Sequence, residues 1–425
     1  MLNPETIDAY CTLLETELMP ATGCTEPIAI AFAAATMRNA LGGRPERMLV
    51  RVSGNILKNA KSVVVPGTGG RKGIAAAAAA GVVAGDASRL LEVIDAVSPV
   101  EREQIGAYLK DTPIPVECVE DGLTLDIRVT GWRGEDTACV RIAGAHTNIV
   151  HIERNGATLR DEPVVDADHE SDAPGILNTA DIVAFADTVD LRRVEAPLKR
   201  QLSLNLAISE YGLGRSCGAN IGRVLLSGAE DLITRARAWA AAGSDARMSG
   251  EELPVVIVSG SGNQGITASV PVAVWAKERG FGEEALLRAL IVSNLVTIHQ
   301  KTGIGRLSAF CGAVCAGCGA GAGIAYLEGG GYDGVAHAVV NALAIISGMV
   351  CDGAKASCAA KIAAAVDAGI LGYRMYTQKQ EFVSGDGIVV KGVDNTIRNV
   401  GRLAKDGMRT TEAEILSIML ETETK

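Results

Sequence analysis

One stretch, residues 308–361, limits the possible folds of this chain more than any other. Its sequence is SAFCGAVCAGCGAGAGIAYLEGGGYDGVAHAVVNALAIISGMVCDGAKASCAAK, and it contains five of the chain's ten cysteines. In an ordinary core, cysteine is a small hydrophobic residue with no reason to cluster. The surrounding Gly and Ala residues let the backbone approach a bulky group closely. The stretch therefore predicts a buried site for metal or redox chemistry.

The rest of the composition predicts closely packed helices with small side chains. Hydrophobic residues make up 48% of the 425 residues, yet aromatic residues only 4%, and there are 49 glycines. A chain of this length can form more than one domain with a large core. Residues 307–327 are uncharged and long enough to span a bilayer, but their Gly and Cys content predicts a helix or turn buried in protein.

Charge and cysteine usage restrict the class of partner and the compartment. The formal net charge is −10 with scattered acidic residues, so there is no basic stripe to neutralise nucleic-acid phosphates. The N-terminal residues are acidic and do not resemble a signal peptide, which predicts a cytoplasmic protein that acts without a membrane. In that compartment the cysteines are expected to be free thiols or metal ligands. The sequence leaves the oligomeric state open, including a homo-oligomer.

Cys24 lies in a turn, Thr22–Pro27, that leads into an Ala-rich helix beginning near Pro27. Proline is tolerated in the first turn of a helix. The free N–H groups and the positive end of the helix dipole would lower the pKa of a thiol at this point, which predicts a reactive thiolate. A buried structural cysteine near a helix cap is the alternative, and the pattern alone does not decide between them.

Two glycine-rich loops follow similar apolar runs, at residues 63–75 and 256–268, which suggests an internal duplication. In each, a G-[ST]-G phrase precedes a helix of small residues, so its backbone amides can bind a carboxylate or a phosphate. Neither loop has a P-loop or dinucleotide-binding fingerprint. In the second loop, Ser261, Asn263 and Gln264 add polar side chains, which favours a small carboxylate as the ligand.

The chain changes character between residues 114 and 159. Alternating polar and apolar runs are separated there by Gly and Asn turns, a pattern typical of an antiparallel β-meander. The predicted fold class is therefore α+β, with a mainly helical, Gly/Ala-rich catalytic core and a small inserted antiparallel β-meander domain. The predicted division is residues 1–110 and 176–425 for the helical catalytic region and 111–175 for the insert.

Three kinds of chemistry compete for the clustered cysteines. A zinc site would use the C-x-x-C pair of Cys315 and Cys318, but the second pair that zinc needs is missing. A redox dithiol would need a strand before that pair, where the sequence has a Gly/Ala run. An iron–sulfur cluster needs only thiolates, which can come from separated parts of the chain. Cys351 and Cys358 are seven positions apart, so a helix would place both on one face. There they could bind one cluster together with a third cysteine from the first group.

The phrases GCTEP, SGSGNQGI, CGAVCAGC and CDGAKASCAAK resemble the L-cysteine desulfidase family, which is related to the iron–sulfur L-serine dehydratases. The resemblance extends over nearly the whole chain. It implies a [4Fe–4S] cluster held by Cys311, Cys351 and Cys358, with one iron open to the substrate, and it implies that Cys24 is the catalytic base. Cys315 and Cys318 are near enough in sequence to take the place of Cys311.

The implied reaction is the α,β-elimination of L-cysteine to pyruvate, ammonia and hydrogen sulfide, without pyridoxal phosphate. Such a reaction requires that the carboxylate of the amino acid is held, that its α-proton is removed and that its leaving group is polarised by a Lewis acid. An iron–sulfur L-serine or L-threonine dehydratase would share every cluster residue and is the first alternative. A non-catalytic helical protein that uses its cysteines as core residues is the second.

Overall fold

The computed structural model describes residues 2–119, 123–164, 175–228, 231–305 and 307–421. Helices dominate these residues. The α-helices are α1 (Pro4–Glu17), α2 (Thr25–Leu41), α3 (Gly54–Ala60), α4 (Gly73–Ala84), α5 (Pro99–Asp111), α6 (Thr179–Thr188), α7 (Glu195–Gly214), α8 (Ile221–Leu226), α9 (Leu232–Met248), α10 (Gly262–Arg279), α11 (Glu283–Ile304), α12 (Gly312–Leu327), α13 (Gly331–Ile346), α14 (Ser357–Thr377), α15 (Val393–Arg402) and α16 (Arg409–Glu421).

The strands of the described residues form two sheets. They are β1 (Pro20–Thr22), β2 (Arg47–Ser53), β3 (Val116–Val119), β4 (Asp126–Arg133), β5 (Asp136–Ala143), β6 (Ile149–Arg154), β7 (Ala157–Asp161) and β8 (Pro254–Val256). The larger sheet has the order β3-β2-β4-β5-β6-β7, in which β2 and β3 are parallel and the other pairs are antiparallel. In the smaller sheet, β1 and β8 pair antiparallel and join the N-terminal part of the chain to the later helices.

Helix α2 connects the larger sheet to the helical core. One side of α2 packs against β4 and β5, and another side packs against α4. Residues on all sides of α2 are buried, as expected for a helix that is apolar all round. Contact with α4 is backbone to backbone, since a Cβ atom on Gly81 would lie 2.1 Å from the carbonyl oxygen of Ala31. The Ala and Gly content of both helices permits this approach.

Helix α12 is the centre of the helical core and packs against α10, α11, α13 and α14. Its contact with α14 requires glycine on both helices. A Cβ atom on Gly321 would lie 2.4 Å from the carbonyl oxygen of Gly369, and one on Gly369 would lie 2.2 Å from that of Gly317. The small residues that mark this stretch in the sequence therefore allow helices to meet through their backbones, which brings the cysteines at their ends together.

The α+β fold class is confirmed, with a mainly helical architecture and a sheet formed by the residues predicted to be a β-meander. The sheet also takes in β2, which precedes the predicted insert by about 60 residues in the sequence. Because β2 pairs with both β3 and β4, the sheet contains strands from the predicted helical region, residues 1–110, and from the predicted insert, residues 111–175. The domain boundaries at residues 110 and 175 stay a prediction. None of the described helices combines the length and the apolar character needed to cross a membrane.

Candidate active site

Four helices point their N-terminal ends at one pocket. Cys24, Ser261 and Cys311 are the N-cap residues of α2, α10 and α12, and Cys358 lies in the first turn of α14. Within the described part of the chain, the N-cap side chains of these four helices make no capping hydrogen bond. The positive ends of the helix dipoles therefore face the pocket without a protein cap, an arrangement that stabilises a negatively charged occupant.

We call this site the cysteine pocket, because Cys24, Cys311, Cys351 and Cys358 all line it. Its cavity volume is about 110 Å³, which suits a small occupant. The pocket is formed by residues from six separated parts of the chain. Its polar and charged lining includes Glu26, Asn59, Arg247, Ser261, Asn263, Gln264, Lys301 and Lys361.

Cys311 and Cys351 are held side by side although they are 40 positions apart in the sequence. The backbone N–H of Cys311 donates to the carbonyl of Met349 at 3.0 Å, and that of Cys351 donates to the carbonyl of Ala309 at 2.7 Å. These bonds flank an antiparallel bridge between Phe310 and Val350. The close interaction of the two thiols lowers the pKa of Cys351 and raises that of Cys311.

Cys358 and Cys24 complete the group of thiols. Cys358 is partly buried, and its thiol lies 3.8 Å from the carbonyl oxygen of Gly353. Cys24 is 2% exposed and belongs to a small apolar cluster against which Cys358 packs. The structure thus brings together the three predicted cluster ligands and the predicted base in a single cavity.

Of the two interpretations of Cys24, a reactive thiolate and a buried cysteine near a helix cap, the structure supports the buried cysteine. Burial raises the pKa of the Cys24 thiol to about 11, although the nearby Arg247 acts in the opposite direction. Cys24 does lie at the N-terminus of α2 as expected. The helix dipole is outweighed because the thiol is almost fully removed from water, and desolvation disfavours the thiolate. A catalytic role for Cys24 is therefore supported by its position at the pocket and not by a lowered pKa.

Cys315 and Cys318, the alternatives to Cys311, lie inside α12 and are fully buried. Burial raises the pKa of both thiols. In the described structure these two side chains do not line the cysteine pocket, whereas Cys311 does. The geometry therefore favours Cys311 as the member of this group that is placed to bind a cluster.

The loop with Ser261, Asn263 and Gln264 lines the pocket as well. A tight turn directs this loop towards the pocket. Ser259 and Gly260 have φ values of 46° and 78°. Val258 and Ser261, on either side of them, exchange two backbone hydrogen bonds. Glycine and a few polar residues adopt this left-handed conformation most readily. The Thr25 hydroxyl donates to the Gly260 carbonyl at 2.8 Å, which fixes the loop beside α2.

The other predicted anion-binding loop, near Gly67, is placed elsewhere. Its backbone N–H at Gly67 donates to the carboxylate of Glu252 at 2.9 Å, and Arg102 binds the same carboxylate at 3.0 Å. This loop therefore binds an anion, but the anion is one of the protein's own side chains. Residues 67–73 are absent from the described lining of the cysteine pocket.

Two charged residues of the pocket were not identified from the sequence. Glu26 is 8% exposed and Arg247 is 5% exposed, and both line the cavity. Glu26 belongs to the GCTEP phrase, two positions after Cys24, so its place in that motif was a usable signal. Arg247 lies in the last turn of α9, and its sequence neighbours give no sign that the helix ends at the pocket.

The residues present fit an iron–sulfur cluster. The three thiols of Cys311, Cys351 and Cys358 are soft ligands of the type that such clusters use, and the helix N-termini favour a negatively charged group. Across the described ranges, no three His, Cys, Asp or Glu side chains converge on a point suited to a single metal ion. A cluster of several iron and sulfide ions is larger than one ion, so its cysteines need not converge in this way.

Comparison with known proteins places the chain in a family. The model of the serine dehydratase alpha chain matches residues 88–417, which include α10, α12 and α14. A UPF0597 protein of Desulfitobacterium hafniense is 55% identical over 413 residues, which cover 97% of this chain and 96% of the relative. A UPF0597 protein of Lachnoclostridium phytofermentans is 47% identical over 409 residues, covering 96% and 98%. A third, from Shewanella oneidensis, is 39% identical over 425 residues, covering 97% and 98%.

These matches confirm the relationship to iron–sulfur serine dehydratases that the sequence motifs indicated. They agree with the donor set of the pocket, which offers thiols for an iron–sulfur cluster. The chain belongs to the serine dehydratase alpha chain family, and it is an iron–sulfur, dehydratase-like lyase.

Proposed function

We propose that this chain catalyses the iron–sulfur-dependent α,β-elimination of L-cysteine to pyruvate, ammonia and hydrogen sulfide. The observation that supports this proposal is that Cys24, Cys311, Cys351 and Cys358 line one cavity together with the loop of Ser261, Asn263 and Gln264. A base, three soft ligands and a polar loop are the groups that the elimination needs. The small cavity suits an amino acid better than a large substrate.

In this proposal Cys311, Cys351 and Cys358 hold a [4Fe–4S] cluster. When bound, the cluster would supply an open iron that polarises the β-leaving group as a Lewis acid, so pyridoxal phosphate is not needed. The protein contributes two thiols of the pocket, Cys24 and Cys311, that are almost fully removed from solvent. Exclusion of water strengthens the electrostatic interactions inside the pocket.

Cys24 is the proposed proton acceptor. The proton on Cα passes to the Cys24 sulfur, the electron pair of the C–H bond forms the Cα–Cβ double bond, and the Cβ–S bond breaks to release sulfide. The product, 2-aminoacrylate, takes up water and yields pyruvate and ammonia. Because burial raises the pKa of the Cys24 thiol to about 11, the thiol must give its proton to solvent before its sulfur can accept the proton on Cα.

We expect Cys24→Ser to separate catalysis from cluster binding. Serine keeps the size of the side chain but is a much weaker acid, so turnover should fall by roughly 10²-fold or more, the usual contribution of a positioned acid–base group. Iron content should remain that of the wild type, measured on protein purified without oxygen. Loss of iron would instead make Cys24 a ligand. Unchanged turnover would move the base elsewhere, and Lys301, which also lines the pocket, would be the next candidate.

Asn263→Ala tests the loop as a substrate-binding element. Loss of one side-chain hydrogen bond, about 1 kcal/mol, should raise KM for L-cysteine about fivefold while kcat changes little. Iron content should not change. Asn399→Ala is a matched control, since the Asn399 amide donates to the carbonyl of Ile388 away from the pocket. An unaltered KM in Asn263→Ala would remove this side chain from the binding site.

A second candidate function is the dehydration of L-serine or L-threonine, which the description of the matched family favours. The two functions would use the same pocket and differ in the leaving group. The test compares kcat/KM for L-cysteine, L-serine and L-threonine with the same anaerobic preparation. A higher value for L-cysteine supports the desulfidase, and a higher value for either hydroxy amino acid makes the chain a dehydratase.

A further inference from the structure

The cysteine pocket contains two oppositely charged side chains, Arg247 and Glu26, that neither cluster binding nor proton transfer uses. They approach the pocket from different elements, α9 and α2. As whole residues, Arg247 is 5% exposed and Glu26 is 8% exposed. Folded proteins bury a charged side chain mainly where it is paired with an opposite charge or binds a ligand, because desolvation of an unpaired charge is very unfavourable.

Arg247 is a buried cation whose charge acts on Glu26 but which forms no close ion pair among the described residues. Its Nη2 donates to the carbonyl oxygen of Gly23 at 2.8 Å, and its buried Nε has no hydrogen-bond acceptor in the described structure. Across the same residues, no Asp or Glu oxygen lies within 4.0 Å of its guanidinium. Lys361, another cation of the pocket, is by contrast paired with Asp352 at 2.5 Å. Arg247 therefore has both charge and a donor available for an anion.

The guanidinium of Arg247 lies against the N-terminus of α10. A Cβ atom on Gly262, the first residue of this 18-residue helix, would lie 2.5 Å from Nε of Arg247. The positive charge and the positive end of the helix dipole thus act on the same region. A carboxylate suits this region, and the planar guanidinium can bind both of its oxygens.

Glu26 presents hydrogen-bond acceptors near the Cys24 thiol, on which its charge acts. Its Oε1 accepts from the Asn59 amide at 3.1 Å, and its Oε2 lies 3.2 Å from the Thr25 hydroxyl, whose proton is donated to the Gly260 carbonyl. The Oδ1 of Asn59 is buried and receives no hydrogen bond among the described residues. Burial alone would raise the pKa of Glu26, but His146 and Arg247 lower it to about 2. The carboxylate and the Asn59 oxygen together suit a cation with several N–H donors.

We propose that Arg247 binds the α-carboxylate and that Glu26, with Asn59, binds the α-ammonium group of a zwitterionic α-amino acid. This inference rests on the proposed function, since it identifies what the same pocket recognises. The two groups of the ligand are both attached to Cα. The charges of Arg247 and Glu26 both act on the Cys24 thiol, so a ligand held by both side chains would lie close to the Cys24 sulfur.

The test measures binding of three probes that have no leaving group, by calorimetry on the anaerobically purified protein. The probes are L-alanine, L-alaninamide, which lacks the carboxylate, and propionate, which lacks the ammonium group. Wild type should bind L-alanine at least tenfold more tightly than either analogue. Arg247→Gln should lose roughly tenfold or more in affinity for L-alanine, but little for L-alaninamide, since a charged hydrogen bond contributes about that factor. Glu26→Gln should lose affinity for L-alanine, but little for propionate.

Arg237→Gln is the matched control. Arg237 lies on the same helix but is paired with Asp367 at 3.3 Å, on a partly exposed face, so binding of all three probes should be unchanged. If Arg247→Gln does not fold, Arg247→Lys replaces it. Lysine keeps the charge without the forked geometry of the guanidinium. We therefore expect a smaller loss of affinity for L-alanine and, again, little change in affinity for L-alaninamide.

The outcomes separate this inference from the proposed function. Equal wild-type affinity for the three probes, or unchanged L-alanine binding in both pocket variants, would overturn the recognition by Arg247 and Glu26 even if iron-dependent turnover is observed. Selective binding that follows the predicted pattern supports the inference even if L-cysteine is not turned over, in which case it is the proposed elimination that fails.

Discussion

Cys351→Ala is expected to lose nearly all of its iron when purified without oxygen, and all turnover with it. Cys351 lies beside Cys311 in the pocket, where two backbone hydrogen bonds fix the positions of both residues. No neutral side chain replaces a thiolate as a ligand of iron. Cys311→Ala and Cys358→Ala should have the same effect, because a three-cysteine site has no spare ligand. The measurement is iron and acid-labile sulfide per chain.

Other cysteines provide the controls for this experiment. Cys315→Ala and Cys318→Ala change thiols that are buried inside α12, and Cys118→Ala and Cys139→Ala change residues of the sheet. All four should keep their iron. Full iron in Cys351→Ala would remove it from the ligand set. Full iron in Cys311→Ala together with loss in Cys315→Ala would transfer the ligand role to Cys315.

Gly369→Val is expected to destabilise the protein strongly. A Cβ atom at this position would lie 2.2 Å from the carbonyl oxygen of Gly317, and a backbone atom inside a helix cannot move aside. Forcing larger groups into such a contact usually costs about 1–3 kcal/mol and occasionally more. The expected result is a lower free energy of unfolding, measured by urea denaturation under anaerobic conditions.

The same substitution should also lower iron content, because α12 begins beside Cys311 and α14 contains Cys358 in its first turn. Gly214→Val is the control. Gly214 is the last residue of α7, and a Cβ atom there would meet no described atom within 4 Å. Equal stability of the two variants would show that the backbone contact between α12 and α14 is not required for folding.

The sequence predicted features that depend on local patterns. Alternation of polar and apolar residues predicted strands β4 to β7, and the turn before Pro27 predicted a helix with Cys24 at its start, which the structure has. Both are properties of neighbouring residues. The joining of β2 to the same sheet was not predicted, because strand pairing over more than 60 residues leaves no local signal.

The site was predictable only in part for a similar reason. The sequence motifs indicated Cys24, Cys311, Cys351 and Cys358 as site residues, and all four line one cavity. The sequence left open whether Cys24 is buried, and burial raises its pKa, since desolvation depends on which residues pack over the end of the helix. Arg247 was missed because its role arises where the end of α9 meets the first turn of α10. Tertiary contacts of this kind cannot be inferred from the spacing of residues in one chain.

We propose that this pocket performs a cluster-dependent elimination of L-cysteine. The most direct test measures hydrogen sulfide and pyruvate formed from L-cysteine by the anaerobically purified protein, before and after its iron is removed and after the cluster is restored. We expect both products to form in equal amounts, turnover to be lost with the iron, and turnover to return in proportion to the iron restored. Turnover that persists in iron-free protein, or no turnover in fully loaded protein, would contradict a cluster-dependent elimination in this pocket.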